Sequence, residues 1–103
     1  MSDKPTVSDA GLEADQDLKF RKMADSFIDV ANRHCEGSPP AMISSSFLYG
    51  ASRFCAFVVA GKTGSRENYL AEQEAALDYY ADEFRTMLKQ NLDDYSRVFD
   101  EES

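Results

Sequence analysis

The sequence predicts an all-α fold, a three-helix bundle with room for a short fourth helix at the C-terminus. Three observations carry that expectation. Apolar residues recur at steps of three and four from Phe20 to Ala31, and the run Phe54–Ala60 has no charged or hydroxyl side chain. A stripe through Leu77, Ala81, Phe84, Leu88, Leu92, Tyr95 and Phe99 keeps a mean step of about 3.7 residues, the period of a helix. No sheet is readable anywhere.

The first fifteen residues mix Ser, Asp, Lys, Pro, Thr and Gly without an apolar period, so residues 1–15 are expected to be a disordered leader. Residues 16–99 form the single helical domain and 100–103 an acidic tail. The first helix covers 16–35, with Phe20, Met23, Phe27, Ile28 and Ala31 on its apolar face. Its outer face carries Arg21, Asp25, Asp29 and Arg33 at successive i,i+4 positions, where opposite charges attract at both ends and the middle pair repels. Gly37, Pro39 and Pro40 stop it.

The second helix begins at Pro39, capped by Ser38, or at Ser44, where Ile43 and Leu48 would make a hydrophobic staple. Residues 42–60 read as a buried central helix, because a helix apolar nearly all round has to be enclosed by other elements. Gly61–Ser65 is the second break, and Ser65 is positioned to cap a third helix. Unbroken from Arg66 to Phe99, that helix would be roughly 51 Å long against about 30 Å for the first. Something must cover its overhang. Either Asn91 ends the helix and Asp93 caps a short fourth one that folds back, or a second chain receives Leu92, Tyr95, Val98 and Phe99. The fold-back is the expectation, with weak homodimerisation as the alternative.

Charge narrows the function classes. The 103 residues carry a formal net charge of −8, and residues 38–65 hold 2 basic and no acidic groups while 66–103 hold 4 basic and 11 acidic. A polyanion needs a basic stripe that releases its counterions, so neither nucleic acid nor an anionic membrane surface is an expected partner. A span through residues 41–60 would carry Arg53 near its centre at a cost of about 2.5–3.5 kcal/mol. The N-terminus shows no signal-peptide pattern, so the cytoplasm is the expected compartment.

Chemistry-bearing motifs are weak. Ala56–Thr63 fits a loose phosphate-loop pattern, but such a loop follows a strand and this one would be the inside of a helix. His34-Cys35-Glu36 places three reactive types side by side, yet helical neighbours point apart and a helix C-terminus opposes a thiolate. One histidine and two cysteines cannot furnish a zinc or carboxylate metal site, so no metal, cofactor or catalytic residue is expected. With hairpin partners summing to about 79 in residue number, Cys35 and Cys55 lie about 15 Å apart and stay free thiols.

The same register brings Arg53 between Asp25 and Asp29. About the second turn, with sums near 126, it lies level with Gln73 between Glu72 and Glu74. A charge in an apolar helix has to be paired, so Arg53 is expected in an internal salt bridge with Asp25, Asp29 or Glu72. Alternatively it anchors a small-ligand or anion site with Tyr49, Tyr79 and Tyr80.

Tyr49-x-Ala51-x-Arg53-Phe54-x-Ala56-Phe57 resembles a motif of a family of short bacterial proteins known only as a domain of unknown function, number 3144. Phe27-Ile28-x-x-Ala31-Asn32 and Asn91-Leu92-Asp93-Asp94-Tyr95 resemble its other recurring stretches, so the resemblance covers about residues 17–99. Cys55 stands where Asn is expected and Gly50 where Ala is. The resemblance implies a free-standing helical domain in a bacterial cytoplasm, with Arg53 in its hallmark motif and no activity to carry over. The expected function is a non-catalytic protein-interaction or homo-oligomerising module; the alternative is a small-ligand or anion sensor built around Arg53.

Overall fold

A computed structural model describes residues 9–102, which form three α-helices, α1 (Asp9–His34), α2 (Pro40–Thr63) and α3 (Arg66–Glu102). No strand occurs among the described residues. The chain divides into two compact units, Met1–Tyr49 and Gly50–Ser103, and α2 is continuous through the boundary.

In the first unit α1 starts at Asp9, seven residues ahead of the expected Gln16; the rest of the leader lies outside the described residues. Arg33 and His34 complement the dipole in its last turn. The chain then tightens: Cys35, Glu36 and Gly37 donate their amides to the carbonyls of Asn32, Arg33 and His34 at 3.1–3.2 Å, the i→i+3 pattern that satisfies helix-end acceptors. Pro40 is the first residue of α2, where a missing N–H costs nothing, and the Pro39 carbonyl accepts from Met42 and Ile43. Ser44 therefore lies inside the helix, its hydroxyl donating to the Ala41 carbonyl at 3.1 Å.

The second unit holds the remainder of α2 and all of α3. Gly64 ends α2 with φ +75°, a left-handed conformation favourable only to residues without a β-carbon. Its amide reaches the Ala60 carbonyl at 3.3 Å. Ser65 caps α3 as expected, its hydroxyl accepting the Asn68 amide at 3.2 Å, while the Asn68 side chain donates back to the Thr63 carbonyl.

Three expectations are corrected. The fourth helix does not form, because α3 runs 37 residues without a break. No glycine or proline interrupts it, and Asn91 donates its side-chain amide to the Met87 carbonyl at 2.9 Å instead of ending the helix. Lys89 grips Asp93 at 2.8 Å and Arg97 grips Asp94 at 3.3 Å, spanning the turn where the break was expected. The second correction concerns α2, which is central in sequence but holds no buried residue. Its best-covered positions, Ile43, Cys55, Val58, Val59 and Thr63, reach only half-burial. The third is that no core forms: among the described residues none is buried, apolar or polar.

Two predictions follow from these ends. Gly64→Ala should cost about 1 kcal/mol, because alanine resists positive φ, and denaturant titration will show it as a lowered midpoint. Asn91→Ala should leave helix content by circular dichroism unchanged or raised, since alanine is the better helix former in an interior; a loss of helix would restore the break.

Candidate functional site

The contact between α2 and α3 in the second unit is built from one stripe on each helix. Cys55, Val59 and Thr63 recur at steps of four on α2, and Tyr69, Ala76 and Tyr80 at steps of seven and four on α3; all are half-buried. Cys55 and Tyr80 meet, and their residue numbers sum to 135 rather than the expected 126, a register offset of between four and five residues when split between the helices. Tyr80 lies longer on its helix than a simple hairpin places it, and its side chain leans back toward the N-terminus of α3 as helical side chains do.

That contact holds one of the unit's two titratable groups with a clear shift, the other being Lys89 beside Asp93. Partial desolvation raises the Tyr80 phenol above 10.0, with the neighbouring Cys55 and Tyr79 and a hydrogen bond to the Cys55 sulfur adding to it. Tyr79 and Tyr80 meet edge to face at 5.1 Å between ring centroids. Both cysteines are free thiols, Cys35 exposed and Cys55 half-buried. No three His, Cys, Asp or Glu side chains converge on a common point among the described residues.

The residues expected around Arg53 are divided between the two units. Asp25, Asp29 and Tyr49 belong to the first unit, Arg53 and Glu72 to the second. Among the described residues the ion pairs are Asp17–Arg21, Lys89–Asp93 and Asp94–Arg97, all within one helix and exposed; none of these includes Arg53, which is itself exposed. The reason is the failed burial of α2: an arginine that stays in water needs no counter-charge. The ladder on α1 is also displaced, since Arg21 turns back to Asp17 at 3.2 Å and leaves Asp25.

What the helices do present is apolar surface. Leu92, Tyr95, Val98 and Phe99, the expected interaction residues, are 47–72% exposed at the end of α3. Phe54 and Phe57 on α2 are 64% and 69% exposed, their rings 5.8 Å apart, and Phe84 and Leu88 continue the α3 stripe. Sequence reasoning placed Phe54 and Phe57 in the core and so missed them as surface. The signal was present: Phe54 and Phe57 stand on the other side of α2 from Cys55 and Val59, so the helix that covers one pair does not cover the other. By length and composition α2 could also cross a membrane, its most apolar 18-residue window having a mean hydropathy of 1.3, with 0% of it buried.

The Tyr80 contact makes a direct prediction. A group whose pKa is raised on folding adds stability below its unfolded value near 10 and loses it as pH climbs through the raised one. Of the five tyrosines, one should ionise late in an absorbance titration of tyrosinate, and Tyr80→Phe should remove that late component while Cys55→Ala moves it earlier. A Tyr80→Phe curve that keeps the late step would show the contact is not made.

No curated protein and no solved structure matches the chain. Residues 20–96, carrying the Arg53 segment and all but the ends of the helices, match a sequence family, and the chain belongs to that family, described as protein of unknown function (DUF3144).

Proposed function

We propose that this chain is a non-catalytic, homo-oligomerising helical module whose core is assembled between copies. One observation carries the proposal: no described residue is buried, while large apolar side chains on all three helices are 42–72% exposed. Ordering a backbone costs about 1–2 kcal/mol per residue, and apolar burial is the main term that offsets it. Helices this long cannot draw their stability from propensity alone, since helical stability in proteins comes mostly from packing an amphipathic face. The missing burial is supplied by a second molecule.

A like chain is a better cover than a bilayer. Membrane insertion would shelter α2 alone and would charge it for Arg53, whereas α1 and α3 expose apolar faces too and are too highly charged to enter lipid. Self-association can cover all three, as an acidic module in the cytoplasm.

The test is concentration. Over a hundredfold increase in protein concentration the melting midpoint should rise by several degrees, and light scattering should return a mass of at least two chains without detergent. Leu92→Asp should lower that mass, because it places a charge in the expected seam. A monomer whose melting is independent of concentration would overturn the proposal.

A further inference from the structure

The α2–α3 contact of the second unit fixes which way the rest of each helix points. Successive residues of a helix are turned by about 100°, so the residue after each contact position lies about a quarter turn round. On α3 that step leads from Tyr69, Ala76 and Tyr80 to Leu70, Leu77 and Ala81, with Phe84 and Leu88 in line beyond them. On α2 it leads from Cys55 and Val59 to Ala56 and Ala60. The two helices are joined by Gly64 and Ser65 and run antiparallel, so the same quarter turn ends on the same side of the pair. That side is open to solvent. Leu70, Leu77, Phe84 and Leu88 are 42–69% exposed, Ala56 and Ala60 are exposed, and a shallow open recess is lined by Leu70, Gln73, Glu74 and Leu77. One helix of this face offers large apolar side chains and the other small ones.

We propose that two copies join through this face about a two-fold axis parallel to the helices, α3 of each packing antiparallel on α2 of the other to give a four-helix bundle. This rests on the self-association proposed above and names its surface. The other two-fold arrangement, with the axis across the helices, lays like on like, α2 on α2 and α3 on α3. Size favours the first. It seats the leucines of α3 over the alanines of α2, whereas like on like sets leucine against leucine in one seam and leaves alanine against alanine in the other. Charge favours it as well. Residues 66–103 hold 4 basic and 11 acidic groups, and 38–65 hold 2 basic and none acidic. Glu74 and Asp78 stand along the outer edge of the α3 stripe; α3 on α3 sets that acidic edge against its own copy, while α3 on α2 brings it to a helix whose charges are Arg53 and Lys62.

Symmetry then fixes the register. An axis parallel to the helices leaves every residue at its own height, so level residues of α2 in one copy and α3 in the other sum to about 135, as Cys55 and Tyr80 do within one chain. Half-buried Val59 and Ala76 share that sum. Leu77 therefore comes to the height of residue 58, midway between Ala56 and Ala60 of the other copy. Those two alanines lie four residues apart, about 6 Å along the helix, and the space above them is a hole for the leucine knob. Leu70 comes level with Ser65 at the turn and Phe84 with residue 51, so the seam runs about 21 Å, and the axis makes it twice.

Isotope-filtered NOEs on the full wild-type chain, mixed from labelled and unlabelled copies, read the seam without any substitution. They should link the Leu77 methyls of one copy to the Ala56 and Ala60 methyls of the other. Sedimentation equilibrium gives a second reading: Leu77→Ala should weaken the dimer about tenfold or more, because each dimer loses two seated leucines. Circular dichroism checks that the variant keeps its helix content, and if it does not, the NOEs decide alone. Cross-peaks between Leu70 of one copy and Phe84 of the other would show like lying on like, since the proposed dimer holds those residues about 21 Å apart in height. Such cross-peaks, a wild-type dimer without the Leu77–alanine NOEs, or a well-folded Leu77→Ala dimer as tight as wild type overturns this docking while self-association stands. A wild-type chain that is monomeric throughout overturns both.

Discussion

A helix buries only the stripe it presents to another helix, and that limit governs everything else in this chain. Residues 9–102 are spent on three long helices and two short turns, with no strand or long loop to close over what the helices leave open. The contact in the second unit reaches half-burial at Cys55, Val59 and Thr63 against Tyr69, Ala76 and Tyr80, and stops. The first unit does less, with Ala24 and Ala31 as its best-covered α1 positions. Alanines offer little area, which is why the proposed function looks to a second copy for the missing burial.

The continuity of α3 follows from local chemistry and then sets the surface. Asn91 can end a helix, and with Asp93 behind it the two resemble a stop and a restart. In the structure the Asn91 amide is satisfied by the Met87 carbonyl and Asp93 by Lys89, so both side chains serve the helix they were expected to break. Once the helix continues, Leu92, Tyr95, Val98 and Phe99 stay on α3, 47–72% exposed.

How much of this was legible in the sequence depends on the range of the interaction. The helices, the turns, the Ser65 cap and the glycine at the end of α2 were readable, because periodicity and capping are settled within a few residues. The α2–α3 register was not, since it depends on where Tyr80 and Cys55 settle and on how far an aromatic side chain leans back along its helix. Arg53 was misjudged for a related reason. An apolar run predicts burial only if other elements settle against it, and that long-range packing is not written in the run itself: Arg53 is exposed and α2 holds no buried residue. The family to which the chain belongs carries no activity that could have corrected this.

The central claim is that apolar surface exposed on a single chain is covered by a second one. Hydrogen exchange of the full chain at two protein concentrations reads that cover directly, residue by residue. If the core lies between copies, amides of residues 50–61 and 84–99 exchange slowly in the concentrated sample and speed up on dilution, while the ends of the helices exchange alike in both. Slow exchange in those two segments that is the same at every concentration would mean that one chain covers itself, and would contradict the account.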